Sequence, residues 1–168
     1  MPPAEDLNPL VLLTKDHDRN SFDCGVSALN DYLKKYALQN QKKHAARTYV
    51  ATRGNRIVGY YSLAYGSVSL EEAPEGVKSG LPRHPIPVIL LARLAVDSTE
   101  HGRGLGAALL KDALLRTIQV AEIAGLRAML VHAKDDSAKR FYEKFGFESS
   151  PIDDHLFLRL SDILSSLR

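Results

Sequence analysis

Leu90-Leu91-Ala92-Arg93-Leu94-Ala95-Val96-Asp97-Ser98-Thr99-Glu100-His101-Gly102-Arg103-Gly104-Leu105-Gly106-Ala107-Ala108 is an apolar run that breaks into a polar, glycine-rich turn and then resumes with helical spacing. Val88 to Val96 is almost wholly apolar, as expected of a central strand buried on both faces. From Gly104 to Ala124, apolar side chains at Leu105, Ala108, Leu109, Leu115 and Ile118 predict a long helix, with Gly125 as its C′ stop. The first turn of such a helix carries N–H groups without intrahelical partners and a partial positive charge, so it is a ready anion site. Glycines let the backbone approach a bulky diphosphate and take angles that a Cβ forbids. Arg103 would add a direct charge.

A glycine-rich turn is also a plain way to join a strand to a helix, so the rest of the chain has to decide. A Walker loop is excluded, because no Gly-Lys-Ser/Thr follows the glycines. A dinucleotide fold calls for an early βαβ unit and an acid ~20 residues further on. Glu122 falls near that distance but lies inside the predicted helix.

Outward from this joint the pattern is mixed. Pro9 to Leu13 is a short strand candidate, and Ser27 to Lys43 carries Leu29, Leu33, Tyr36, Ala37 and Asn40 at helical spacing, with Ser27 placed to cap it. Arg47 to Thr52 and Ile57 to Val68 read as a hairpin about Gly54-Asn55. Glu71 to Pro87 holds four prolines and two glycines after Glu72, which argues against regular structure over most of it. Arg127 to Ala133 is a strand, and Asp136 to Phe145 a short helix closed by Gly146. Phe147 to Glu148 and His155 to Leu160 supply further strand. The expectation is an α/β (α+β) fold, a mixed sheet flanked by helices, forming one domain over residues 1–168.

Bulk properties fit a soluble globular protein, with 45% hydrophobic and 25% charged residues and no apolar run near the ~20 residues that span a bilayer. Cys24 is the lone cysteine, so no internal disulfide and no cysteine-rich metal site is expected, and Met1 to Asn8 does not resemble a signal peptide. These features favour a cytoplasmic protein without a metal. Net charge is only +2, yet Lys34, Lys35, Lys42, Lys43, Arg47, Arg53 and Arg56 follow one another without an acid between them. Such a run is either a solvated face or a surface that attracts phosphate.

The strand, the loop His101-Gly102-Arg103-Gly104-Leu105-Gly106 and the helix together resemble motif A of the GNAT acyltransferases. There the pattern [Gln/Arg]-x-x-Gly-x-[Gly/Ala] binds the pyrophosphate of CoA; His101 departs from it at the first position. Ser137-Ala138-Lys139-Arg140-Phe141-Tyr142-Glu143-Lys144-Phe145-Gly146-Phe147 is similar to the same family's Ala-x-x-Phe-Tyr-x-x-x-Gly-Phe segment. The resemblance implies a GNAT fold and acetyl-CoA held by the amides of Arg103, Gly104, Leu105, Gly106 and Ala107. Backbone donors at Leu94, Ala95 and Val96 would face the thioester oxygen. It also implies Tyr142 as the general acid for the leaving thiolate. A phenol of pKa about 10 keeps its proton where a thiol of about 8.5 loses it. No general base stands out; His132 is the nearest candidate, and a lone strand histidine is as readily a packed one. An α-amine, with a pKa of about 7.7–8.0, needs less help than a lysine at about 10.4, which favours an α-amino substrate.

Phe22-Asp23-Cys24-Gly25, Leu29-Asn30-Asp31-Tyr32-Leu33, Arg47-Thr48-Tyr49-Val50-Ala51, Val58-Gly59-Tyr60-Tyr61-Ser62-Leu63 and Pro85 to Asp97 narrow the likeness. Together they resemble GNAT toxins of type II toxin–antitoxin pairs (TacT/AtaT-like), from about Leu10 to the C-terminus. That resemblance implies acetylation of the α-amine of aminoacyl-tRNA, which blocks translation. It also implies a ribbon-helix-helix antitoxin as neutraliser, contact with DNA only through that antitoxin, and a homodimer. Lys42, Lys43, Arg47, Arg83 and Arg93 are then the candidates for holding tRNA. Arg93 interrupts an apolar strand, so it either reaches the RNA 3′ end or pairs with Asp97 or another acid. Two other functions remain open: acetylation of a small amine or a protein N-terminus, and a CoA- or antitoxin-binding module without turnover.

Overall fold

A computed structural model describes residues 5–81, 85–152 and 154–166. The strands are β1 (Val11–Leu12), β2 (Arg47–Arg53), β3 (Arg56–Val68), β4 (Ile86–Val96), β5 (Ala128–His132), β6 (Glu148–Ser149) and β7 (His155–Arg159). They form a seven-stranded sheet in the order β1-β2-β3-β4-β5-β7-β6. β4 and β5 run parallel, whereas β1–β2, β2–β3, β5–β7 and β6–β7 are antiparallel. The helices are α1 (Ser27–Asp31), α2 (Ala37–Lys42), α3 (Glu75–Lys78), α4 (Leu105–Ala121), α5 (Asp136–Lys144) and α6 (Leu160–Ser166). This is the mixed α+β sheet that the sequence pattern predicts. Among the described residues no helix is long and apolar enough to cross a membrane.

The chain forms two compact units. The first comprises Met1–Ala64 and Arg93–Ala113. Its core gathers Leu13, Phe22, Leu33, Val50, Ile57, Tyr60 and Ala95. Phe22 meets the Tyr60 ring edge-on at 5.5 Å, and the Tyr60 hydroxyl donates to Leu29 O at 2.6 Å. Ser27 does not cap α1: Val26 takes the extended cap geometry, and Ser27 is already the first helical residue. A single π-helical turn, Tyr32–Tyr36, joins α1 to α2. The extra residue resets the helical phase, so Tyr32 is buried and Tyr36, placed on the apolar face by an unbroken 3.6-residue period, is 53% exposed. The side chain of Gln41 then ties the end of α2 to both neighbouring strands, donating to Leu13 O and accepting from Thr48 N.

Where α4 begins, it lies directly on β3. A Cβ at Gly59 would sit 3.1 Å from Leu105 Cδ2 and 3.2 Å from Leu109 Cδ1, so any larger residue would press both leucines outward by a few tenths of an ångström. The helix ends before Gly125, which does not take the left-handed φ expected of a C′ stop. Its last turn tightens instead, with Ile123 N bonding to Val120 O at 3.0 Å.

The second unit comprises Tyr65–Ala92 and Leu114–Arg168. Val68, Ala73, Val77, Ile86, Val88, Ala128, Leu130 and Phe157 form its core. The proline-rich stretch is less irregular than the sequence suggests. Pro74 starts α3, Val77 plugs into the core, and Arg127 holds the helix end by donating to Val77 O and Ser79 O. α5 is capped by Asp135, whose carboxylate accepts from Ala138 N at 2.8 Å, and Gly146 closes it with φ 96°.

Candidate active site

The loop after β4 is fixed from two directions. Asp97 N donates to Val58 O of β3, and the Asp97 carboxylate accepts from Thr99 N, Thr99 Oγ1 and Asp23 N. Asp23 O in turn accepts from Ser98 N and Ser98 Oγ. Asp23 Oδ1 accepts from Gly25 N and Asn30 Nδ2, while Asn30 Oδ1 accepts from Cys24 N. The segment from Phe22 to Gly25 therefore braces the loop rather than facing a ligand as such. Burial alone would raise the Asp97 pKa, but its three hydrogen bonds and the charge of Arg56 hold it below the ordinary carboxylate value.

A single 3-10 turn, Ser98–Glu100, leads into the glycines. The His101 ring folds back so that Nε2 lies 2.8 Å from Val96 O. A carbonyl only accepts, so Nε2 carries the proton in this contact. Gly102 and Gly104 sit at φ 78° and 83°, left-handed angles that side-chain-bearing residues rarely adopt. They turn the chain into α4, whose first intrahelical bond is Ala108 N to Gly104 O at 3.2 Å. Of the five amides that the sequence nominates, Arg103 N is taken by Glu100 O at 3.3 Å. The amides of Gly104, Leu105, Gly106 and Ala107 have no partner among the described residues, so four donors at a helix N-terminus remain for an anion. The residues present fit a diphosphate.

Beneath the loop lies Glu100, only 4% exposed. Arg53, the last residue of β2, clamps it with two bonds, Nε to Oε2 at 3.1 Å and Nη2 to Oε1 at 2.9 Å. Arg103 Nη1 lies 3.5 Å from the same carboxylate, with its side chain 63% exposed. Hydrogen bonding from Arg53, against the opposing effect of burial, keeps the Glu100 carboxyl below its usual pKa.

Leu94, Ala95 and Val96 occupy the last three positions of β4. The parallel ladder between β4 and β5 runs from Val88↔Ala128 to Leu91↔Val131, so it does not use their amides. Ala95 is buried in the first core, which fixes the strand direction as it enters the loop.

In the second unit, Tyr142 is buried on α5 between two ring edges, Phe141 at 5.1 Å and Phe147 at 5.3 Å. Tyr142 O accepts from both Phe145 N and Phe147 N, which is how the Gly146 turn brings Phe147 back onto the ring. Burial pushes the phenol up to about 12. It therefore holds its proton at any physiological pH: it can act as an acid and not as a base. His132 stacks flat on His155, centroids 4.0 Å apart and planes parallel. Partial burial, then the neighbouring His155, lowers its pKa, opposed by Asp154.

The residues nominated for tRNA divide. Lys42 ends α2, Lys43 follows it and Arg47 opens β2, and all three are exposed. Arg83 lies outside the described residues. Arg93 is half-buried, and its guanidinium carbon stands 3.6 Å above the Tyr32 ring centroid. It makes no ion pair with Asp97, whose carboxylate accepts instead from Asp23 N, Thr99 N and Thr99 Oγ1. Of the two alternatives for this arginine, the acid partner is not the one seen; its guanidinium rests on an aromatic face instead.

The sequence of this chain matches the model of the acetyltransferase (GNAT) domain over residues 44–149, more than half its length. The chain belongs to the GNAT acetyltransferase family. A tRNA-acetylating toxin of Mycobacterium tuberculosis is 51% identical over 146 residues, covering 86% of this chain and 87% of the relative. Among solved structures, AtaT complexed with acetyl-methionyl-tRNAfMet superposes with a TM-score of 0.89 at 26% identity, covering 97% of this chain and 100% of that one. A tyrosine-to-phenylalanine mutant of the AtaT toxin, bound to the C-terminus of the antitoxin AtaR and acetyl-CoA, gives 0.80 at 27% identity, covering 95% and 96%.

As a GNAT acetyltransferase, the chain shows two groups that sequence reasoning does not single out. In the sequence Arg53 is one charge in a basic run, and Glu100 is part of a connection. Nothing local links two residues 47 positions apart. The one usable signal is chemical: an acid next to a phosphate loop has to be neutralised by something.

Proposed function

We propose that this GNAT enzyme transfers the acetyl group of acetyl-CoA to the α-amine of the amino acid on a charged tRNA and thereby stops translation. The observation that carries this reading is the 51% identity with a tRNA-acetylating toxin along nearly the whole length of both chains. Likeness to AtaT in complex with an acetylated methionyl-tRNA supports it. The cofactor, when bound, supplies a thioester whose acyl carbon accepts the amine. The amides of Gly104 to Ala107 would hold its pyrophosphate, with Arg103 adding charge. Backbone donors among Leu94, Ala95 and Val96 would face the thioester oxygen, and Tyr142 would supply the proton that the leaving sulfur takes up, the proton shed by the acylated amine restoring the phenol. Residues 1–168 act as one catalytic domain in the cytoplasm.

Lys42, Lys43, Arg47, Arg83 and Arg93 contribute the surface that follows the RNA phosphates. A ribbon-helix-helix antitoxin neutralises the toxin and alone contacts DNA, and the active species is a homodimer. The antitoxin-bound AtaT structure supports the antitoxin assignment.

The direct test is incubation of the purified protein with labelled acetyl-CoA and total charged tRNA. Label should enter the aminoacyl-tRNA as a base-labile N-acetyl-aminoacyl ester. Label appearing only in small amines or protein N-termini would overturn the substrate, and no transfer at all would overturn the activity. Reversing the charge at Lys42 and Lys43 (to Glu) should slow acetylation of tRNA. It should also reduce the slope of log rate against log salt by roughly two, one for each phosphate that no longer meets a lysine. An unchanged slope would show that this stretch is only a solvated face.

A further inference from the structure

The carboxylate of Glu100 stands in an awkward place. It is 4% exposed, one turn before the amides that receive a diphosphate, and its negative charge opposes that of the ligand. Left uncompensated, a buried charge at this point would repel the pyrophosphate through a poorly screening medium. Yet the glutamate also has a use. Its backbone carbonyl takes the Arg103 amide, and its side chain is the point at which the hairpin grips the loop.

Arg53 answers both requirements. Its guanidinium makes the two parallel bonds of a fork to Glu100, a geometry that lysine cannot reproduce. The remaining nitrogen, Nη1, donates to Glu5 O at 2.8 Å, so the arginine is itself held at three points. Asn8 reinforces the same end of the hairpin by donating to Thr52 Oγ1 and Gly54 O. Arg103, by contrast, touches Glu100 at 3.5 Å from a largely exposed position. With Arg53 already balancing the carboxylate, Arg103 is free to turn towards an incoming phosphate without leaving a buried anion behind.

We infer that Arg53 and Glu100 are a pair of positioning residues for cofactor binding: Arg53 anchors the pyrophosphate loop through Glu100 and cancels the charge that would otherwise repel acetyl-CoA. This rests on the reading of the loop as the pyrophosphate site. Neither side chain reaches the reacting atoms, so their effect falls on affinity for the cofactor rather than on the chemical step.

The test is a double-variant cycle read by calorimetric binding of acetyl-CoA to the full chain, without tRNA. Arg53→Ala should weaken binding by about tenfold or more, because it takes the fork away from a buried carboxylate and leaves that carboxylate charged. Adding Glu100→Gln to Arg53→Ala should recover about threefold or more of the lost affinity, since the repelling charge is then gone while the anchor stays lost. In steady-state assays, KM for acetyl-CoA should move much more than kcat. Arg53→Lys, which keeps the charge and loses the fork, should fall between wild type and Arg53→Ala, and it stands in if the alanine variant does not fold. A double variant no better than Arg53→Ala overturns the charge-cancelling role, and wild-type affinity in Arg53→Ala or Arg53→Lys overturns the pair altogether. Failure of the wild-type protein to bind acetyl-CoA would instead overturn the loop assignment, and failure to acetylate tRNA would leave the binding cycle intact.

Discussion

Tyr142→Phe should lower the rate of acetyl transfer by about 10²- to 10⁴-fold, the usual contribution of a positioned general acid. Acetyl-CoA affinity should stay close to that of the wild type. The substitution removes one oxygen and leaves the ring, which is held by Phe141 and Phe147. Its hydroxyl makes no hydrogen bond among the described residues, so no protein partner is orphaned by its loss. Thermal stability should therefore be nearly unchanged, and a drop in turnover reports the missing proton. Because burial holds the phenol near 12, the tyrosine should not shape the pH profile around neutrality. The rate should instead rise up to about pH 8 and level off, following deprotonation of an α-amine with a pKa of about 7.7–8.0. Wild-type turnover in Tyr142→Phe would remove the phenol from the mechanism. A profile still rising past about pH 10 would remove the α-amine, since only a more basic group titrates there.

The parts of this site that can be read from sequence are those whose physics is local. A nearly unbroken apolar strand, three glycines and a helical period are all contained in Leu90 to Ala108, and so the strand–loop–helix joint is legible. α5 is legible for the same reason, since Asp136 to Lys144 and Gly146 spell out a helix and its end. What escapes depends on residues far apart or on a shift of phase. Asp23 braces Asp97 across 74 positions, and Arg53 neutralises Glu100 across 47. No pattern of hydrophobicity records such pairs. The π-helical turn at Tyr32–Tyr36 has a different cause: one extra residue in a turn changes which side chains face inward. A period count that assumes 3.6 residues throughout therefore exchanges Tyr32 for Tyr36. Arg93 escapes for a third reason. An arginine among apolar neighbours is expected either to reach the RNA or to pair with an acid, and the aromatic face 3.6 Å beneath it is a partner that neither alternative names.

Asp97→Asn should destabilise the protein by about 1–3 kcal/mol at neutral pH, although the side chain keeps its size. Both oxygens of Asp97 act as acceptors, Oδ2 for Asp23 N and Oδ1 for Thr99 N and Thr99 Oγ1. An asparagine has only one such oxygen. Whichever way its amide is turned, an NH₂ group faces a backbone N–H, and a donor in a buried setting is left unpaired. The pH dependence separates this account from a simple loss of packing. The folded-state pKa of Asp97 is depressed, so its contribution is fully present above the unfolded value of about 3.9 and is lost as pH falls through the lower, folded value. Urea unfolding of the wild type at about pH 7 and at about pH 3 should therefore show a gap to Asp97→Asn that narrows in acid. A gap of equal size at both pH values would mean that the carboxylate charge plays no part. Because Asp97 and Asp23 together aim the loop that carries Gly104 to Ala107, acetyl-CoA affinity should fall in the same variant. Tyr142→Phe is the opposite case, with affinity kept and turnover lost, and that contrast distinguishes the residue that shapes the anion site from the residue that moves the proton.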